Sequence, residues 1–286
     1  MQWDERVDVL CTGSGLGGLA TAIAAVDADV DVYVADSAGI EVEDAETSRY
    51  FRELSRDLRV PVHRAATAQA TIRDDLSPAA STSGRVEPFV GSRLQDWAAT
   101  CLASPYGFVY SRVCERKAVT MRSNRGEAFE VVAIGSIELG PDQPQFVLAD
   151  WLTAQGRDRG IEVSTDSPLR RMVFEGGRVL GAVLDTPSGP RAVRARHGVL
   201  VSTGGHGLGA ACQLPETATL QVGVVRQAAS RFGRVELLTT QPLAGIPHTA
   251  CRPLNRRLTD AARETRQIRS PHWRCGELHR YPPLGQ

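Results

Sequence analysis

Asp8-Val-Leu-Cys-Thr-Gly-Ser-Gly-Leu-Gly-Gly-Leu-Ala20 carries glycine-turn and strand-end signals within thirteen residues of the N-terminal region. Its lead-in, Arg6-Val-Asp-Val-Leu-Cys-Thr12, reads as a short buried strand. After the glycines, Leu19-Ala-Thr-Ala-Ile-Ala-Ala-Val26 reads as a helix of small and apolar residues. Asp31-Val-Tyr-Val-Ala-Asp36 is a second strand that ends on an acid. Strand, Gly-rich turn, helix, strand, acid is the order that a dinucleotide-binding βαβ unit requires. Gly13 permits the tight bend, Gly15 lets a pyrophosphate approach the backbone, and Gly18 lets the helix pack closely on the strand. With Ser14 they form a turn whose helix N-terminus offers free N–H groups and a partial positive charge to phosphates. Asp36 lies where an acid would hold ribose hydroxyls, and an acid rather than Arg there argues against a 2′-phosphate.

Further along, apolar residues at helical spacing (Tyr50, Phe51, Leu54, Leu58) predict a helix. Residues 67–84, rich in Ala, Ser, Thr and Asp, read as a loop or excursion. Phe89–Leu102 carries a second helical pattern and Phe146–Arg159 another, while Phe108–Val113, Glu130–Ile137 and Ile161–Ser164 read as strands. Met172–Asp185 reads as a hairpin turning at Gly176-Gly177, followed by a strand at Ala192–Ala195. Gly198-Val-Leu-Val-Ser-Thr-Gly-Gly205 is a buried strand running straight into glycines.

Gly177-Arg-Val-Leu-Gly-Ala-Val183 and Val201-Ser-Thr-Gly-Gly205, taken with the N-terminal glycine stretch, resemble the FAD-binding flavoproteins of the fumarate reductase, succinate dehydrogenase and ketosteroid dehydrogenase family. Pro88-Phe-Val-Gly91 with Trp97, and Ser104-Pro-Tyr-Gly107, resemble the segment leading into that family's substrate-facing domain. The resemblance implies an α/β fold: a Rossmann-like FAD-binding domain, a βαβ unit with parallel sheet plus a β-hairpin layer, with an inserted α+β cap. Residues 1–60 and 151–240 would form the FAD-binding domain, 61–150 the substrate-side cap and 241–286 an Arg-rich tail. The cofactor implied is FAD, held by Gly13, Ser14, Gly15, Gly18 and Asp36, with Thr203, Gly204 and Gly205 beside its diphosphate end. The chemistry implied is hydride transfer between flavin and a carbonyl-conjugated C–C bond.

Two family segments are missing. Asp36 runs through Ser37-Ala-Gly39 directly into Glu41-Val-Glu-Asp44, without the glycine-rich stretches that wrap the flavin. Nothing between Leu238 and Gln286 matches the family's C-terminal glycine-rich strand and helix start. The adenosine diphosphate half keeps its contacts, whereas the isoalloxazine half loses the cradle that tunes flavin chemistry. Either another chain completes the site, or binding is weak, or catalysis is lost and the protein is a scaffold or a subunit of a larger complex. An NAD-binding domain with no flavin would leave the hairpin and the Thr-Gly-Gly turn without a role. Tyr106 and Tyr110 are candidate proton carriers, and Arg93 and Arg112 candidate carbonyl or carboxylate holders. Packing tyrosines and solvated arginines are the plainer reading. His206, after the glycines, reads as an exposed or capping residue.

Composition sets the outer limits. Hydrophobic content of 42% over 286 residues supplies an ordinary core, and a formal net charge of zero does not recruit nucleic acid or an anionic membrane. Asp4, Glu5 and Asp8 stand where a secretory leader would be basic and then apolar, and Leu19–Val26 is too short to span a bilayer, so a cytoplasmic protein is expected. Six scattered cysteines (11, 101, 114, 212, 251 and 275) read as reduced thiols. His248, Cys251, His272, Cys275 and His279 have zinc-compatible spacing, but the tail lacks paired-cysteine knuckles and no metal is expected. The tail's arginines read as a solvated segment or a docking surface for an acidic partner.

Overall fold

The computed structural model describes residues 2–13, 15–36, 42–56, 58, 71–78, 91–110, 118–139, 148–203, 218–228 and 230–239. All of them belong to the first of two units, Met1–Ile246; the second, Pro247–Gln286, lies outside the described residues. In chain order the elements are β1 (Glu5–Thr12), α1 (Leu16–Val26), β2 (Val32–Ala35), α2 (Ala45–Leu54), β3 (Thr71–Arg73), β4 (Leu76–Pro78), α3 (Gly91–Ala103), β5 (Gly107–Tyr110) and β6 (Val119–Ser123). They continue as β7 (Ala128–Leu139), α4 (Leu148–Asp158), β8 (Val163–Ser164), β9 (Leu169–Glu175), β10 (Arg178–Thr186), β11 (Gly189–Ser202), β12 (Ala218–Gln227) and β13 (Phe232–Leu238).

Among the described residues the strands form one sheet, ordered β4-β6-β7-β12-β13-β5-β11-β1-β2-β8. Strands β11, β1, β2 and β8 run parallel, with Thr12 opposite Val201 on one side and Ala35 on the other. This is the expected α/β arrangement, with the β9–β10 hairpin laid beside β11. The first half of β11 pairs with β10 and its last residues, Leu200–Ser202, pair with β5. The two strands expected at 192–195 and 198–205 are therefore one strand. Between them the pairing with β1 slips, and Gly198 takes φ 139°. That is a β-bulge, which breaks the alternation on which a sequence reading depends.

Two apolar clusters cover the faces of the sheet. One joins Val9, Cys11 and Leu200 to Leu19 and Ile23 of α1 and to Leu148 and Leu152 of α4. The other joins Leu10, Val199 and Val201 to Phe51 of α2, to Trp97, Ala98 and Cys101 of α3, and to Met172 and Leu184 of the hairpin. The alternation of Leu200 with Val199 and Val201 between clusters is the period of two of a strand buried on both faces.

Strands β12 and β13 are absent from the sequence reading, and their composition explains why. Every residue of β13 is buried, including Arg234 and Glu236, so charges that would read as a solvent-facing side of the strand lie inside. Glu236 is fully buried and takes charge-assisted hydrogen bonds from Arg73 Nε at 2.5 Å and Arg234 Nε at 2.7 Å. Arg73 also pairs with Asp75 at 3.2 Å. The guanidinium of Arg73 lies over Phe129 and that of Arg234 over Trp97, at 4.6 and 5.2 Å from the ring centres. Burial opposes the charge on Glu236, yet the two guanidinium groups outweigh it and hold the carboxyl below its ordinary range. This ion triad pins β3 to β13 inside a stretch expected to be loop.

Candidate functional site

The ends of three neighbouring parallel strands create the site. At the C-terminal end of β1, Gly13 takes φ 107° and its N–H donates to Ala35 at 2.8 Å. At the end of β2 the Asp36 N–H donates to Ser164 at 2.8 Å, which fixes that acid beside β8. At the end of β11 the Thr203 N–H donates to Gly107 at 3.0 Å. Thr12 ties β1 to β11 through its hydroxyl, which donates to the Leu200 carbonyl at 3.1 Å. Gly13, Gly15, Asp36 and Thr203, widely separated in sequence, thus gather on one edge. The crevice outside the carboxyl ends of parallel strands is where open α/β sheets bind ligands.

Helix α1 starts at this edge from Gly15, without a side-chain cap and without an acid in its first turn. The contrast with α2 is informative. There the Asp44 carboxylate accepts from Thr47 N at 2.8 Å and Thr47 Oγ1 at 2.7 Å, and Glu46 adds a second acid to the first turn. Those hydrogen bonds hold the Asp44 carboxyl below its ordinary range. The chain fills one helix N-terminus with its own anion and leaves the other bare, as a phosphate site requires.

The glycines of the turn are sterically fixed. A Cβ on Gly18 would stand 2.0 Å from the Gly13 carbonyl oxygen, and one on Gly17 2.6 Å from that of Gly107. Gly18 closes the turn on β1, while the close approach of α1 to β5 belongs to Gly17, which the sequence reading passed over. This cradle, with its bare helix end and neighbouring acid, fits the adenosine diphosphate half of FAD.

Thr203 is buried, and its hydroxyl lies 3.3 Å from the carbonyls of both Cys101 and Ser104. The side chain thereby latches the end of β11 to the C-terminus of α3. Gly107 makes room for the latch, since a Cβ there would meet Cys101 O at 1.9 Å and Thr203 Oγ1 at 2.4 Å. Trp97 donates from Nε1 to the Phe232 carbonyl at 2.8 Å and holds α3 on β13. Tyr106 is 1% exposed within the core, and Tyr110 is half-buried with its ring edge-on to Phe108. Arg93 is exposed on α3. Burial pushes the Cys11 thiol up to about 12 and the Cys101 thiol higher, so both are inert apolar fillers. Ser14, Arg112, Gly204, Gly205, His206 and the histidines and cysteines of the tail lie outside the described residues. A cleft of about 570 Å3 at the β2–β8 edge, bordered by Glu5, Asp31, Tyr33, Glu162 and Arg191, contains none of the expected site residues.

Comparison with known proteins bears on the same sheet. A family model described as an FAD binding domain matches residues 139–227. This stretch is an FAD-binding-domain segment. It holds α4, the hairpin, β11 and β12, and so covers the Thr203 end of the crevice, whereas the glycine turn at 13–18 lies outside it. FAD is the cofactor of this fold. No curated protein sequence matches the chain. Similar solved structures include a 3-ketosteroid-Δ4-(5α)-dehydrogenase from Rhodococcus jostii RHA1, at 16% identity and TM-score 0.32, covering 70% of this chain and 46% of that one. A flavocytochrome c3 fumarate reductase is 14% identical with TM-score 0.29, over 68% of this chain and 33% of that one. A geranylgeranyl bacteriochlorophyll reductase-like protein from Thermoplasma acidophilum is 16% identical with TM-score 0.27, over 67% and 38%. The chain spans less than half the length of each. Among the described residues no helix is long and apolar enough to cross a membrane.

Proposed function

We propose that the chain binds FAD across the edge formed by β11, β1 and β2, as an oxidoreductase. The observation that carries the reading is the gathering of Gly13, Gly15, Asp36 and Thr203 around the bare N-terminus of α1. Bound FAD would supply a two-electron centre that exchanges hydride with a C–C bond conjugated to a carbonyl. Gly13, Ser14, Gly15 and Gly18 receive the diphosphate, Asp36 accepts from the ribose hydroxyls, and Thr203, Gly204 and Gly205 border the crevice from β11. Of the two phenols, Tyr110 has surface outside the core and is the stronger proton carrier, with Arg112 two residues on to hold a carbonyl or carboxylate. We place the protein in the cytoplasm, with its thiols reduced.

A second reading is favoured by the complete burial of Tyr106, which withdraws one candidate proton carrier from any substrate. Here the chain is a catalytically silent flavoprotein, a scaffold or a subunit whose isoalloxazine cradle is completed by a second polypeptide, with the Arg-rich tail as its docking arm. One preparation separates the readings. The purified protein is expected to carry, or take up from added FAD, the blue-absorbing flavin band. Anaerobic bleaching by saturated ketones or carboxylic acids then marks an oxidoreductase. A yellow protein that no such compound bleaches marks the scaffold, and a colourless one that takes up no FAD overturns both.

A further inference from the structure

Ser202 is the last residue of β11 and is fully buried. The three residues before it, Val199, Leu200 and Val201, are apolar and equally buried, so Ser202 is the first polar side chain at this end of the strand core. Its Oγ has no hydrogen-bond partner among the described residues. This is unusual for a serine, because a buried hydroxyl almost always finds a carbonyl or an N–H. The neighbouring hydroxyls do so: Thr12 reaches Leu200, Thr21 reaches Gly17 and Thr203 reaches Cys101 and Ser104.

The place of the unpartnered hydroxyl is specific. By strand alternation Ser202 shares the face of Leu200, which packs with α1. Its Cβ lies 3.7 Å from where a Cβ on Gly18 would stand, beside the Gly13 carbonyl that the same Cβ would strike. Ser202 therefore sits under the first turn of α1, against the glycine turn at the start of that helix. A buried hydroxyl without a partner among the described residues costs stability, and one placed at the uncapped start of α1 is a donor waiting for an acceptor that arrives from outside.

We infer that Ser202 is a cofactor-positioning residue, whose hydroxyl donates to the diphosphate end of the bound dinucleotide or to a water that this end carries in. The inference rests on the FAD reading above and adds a contact to it. It also assigns opposite signs to one substitution. Removing the hydroxyl relieves the free chain of an unsatisfied group and removes a hydrogen bond from the complex.

The test uses the full chain, Ser202→Ala and Ser202→Cys, with thermal melting of the apoprotein and calorimetric titration of FAD and of ADP. The expected result is an apo Ser202→Ala that melts no lower than wild type while both ligands bind it about tenfold more weakly, as loss of a hydrogen bond to a charged group implies. Ser202→Cys, with a weak donor of similar shape, falls between the two. A lower melting point for apo Ser202→Ala would show that the hydroxyl serves the protein's own packing and overturns the inference. So does unchanged affinity, or a loss confined to FAD with ADP unaffected, which would place the contact away from the diphosphate. A wild type that binds neither FAD nor ADP fails earlier and overturns the FAD reading itself.

Discussion

Single atoms decide the glycine turn. Gly18→Ala puts a methyl group 2.0 Å from the Gly13 carbonyl, a backbone atom that cannot swing aside as a flexible side chain would. We expect a loss of about 1–3 kcal/mol from overpacking, together with loss of FAD binding as the cradle opens. Urea midpoints and FAD titration check the two effects separately. Thr203→Val is the counterpart. It keeps the shape and removes the hydroxyl that lies against Cys101 and Ser104. Its expected cost is on the order of 1 kcal/mol in stability, with FAD affinity nearly unchanged, because this hydroxyl is engaged on the protein. A large affinity loss in calorimetry would instead give Thr203 a direct contact with the cofactor.

At the scale of elements, the ion triad holds β3 against β13. Removing Glu236 leaves Arg73 and Arg234 facing each other without their shared anion, so Glu236→Ala is expected to cost about 3–5 kcal/mol. Replacing all three charges by apolar residues of similar volume should be far milder, and chemical denaturation distinguishes the outcomes. The triad also sets a pH dependence. The carboxyl of Glu236 is held below its ordinary range in the folded chain, so its contribution is complete above the unfolded value of about 4.3. It is lost as pH falls through the lowered folded value. Thermal melting from neutral pH downward should therefore hold nearly level until that range and then fall, and Glu236→Gln should flatten the acid limb.

For the whole molecule, ligand linkage gives the prediction. If FAD binds only the folded chain, a free concentration of one hundred times Kd raises the unfolding free energy by about 2.7 kcal/mol. The rise should show as a melting temperature that climbs with the logarithm of FAD concentration, and a flat dependence in differential scanning calorimetry counts against a binding site. The diphosphate edge and the apolar clusters belong to one sheet, which is why a ligand at that edge would stabilise the entire unit.

The first βαβ unit, the hairpin at 172–185 and the strand leading toward Thr203 are legible from residue order alone. Each is written in local terms, as a glycine where the backbone needs room, an acid at a strand end, or two glycines at a turn. The rest emerges from contacts between distant elements. Strands β12 and β13 carry charges that read as solvent-facing yet are buried, and Arg73, Arg234 and Glu236 become intelligible only when β3 lies beside β13. Gly17 and Gly107 look like any other glycine until α1 meets β5 and Thr203 reaches back to Cys101. Ser202 reads as one letter of a strand end, and its hydroxyl lacks a partner among the described residues only because the fold buries it beneath α1. Propensity and spacing act over a few residues, whereas burial and partnership are set by elements a hundred or more residues apart, and those decide what a polar side chain can do.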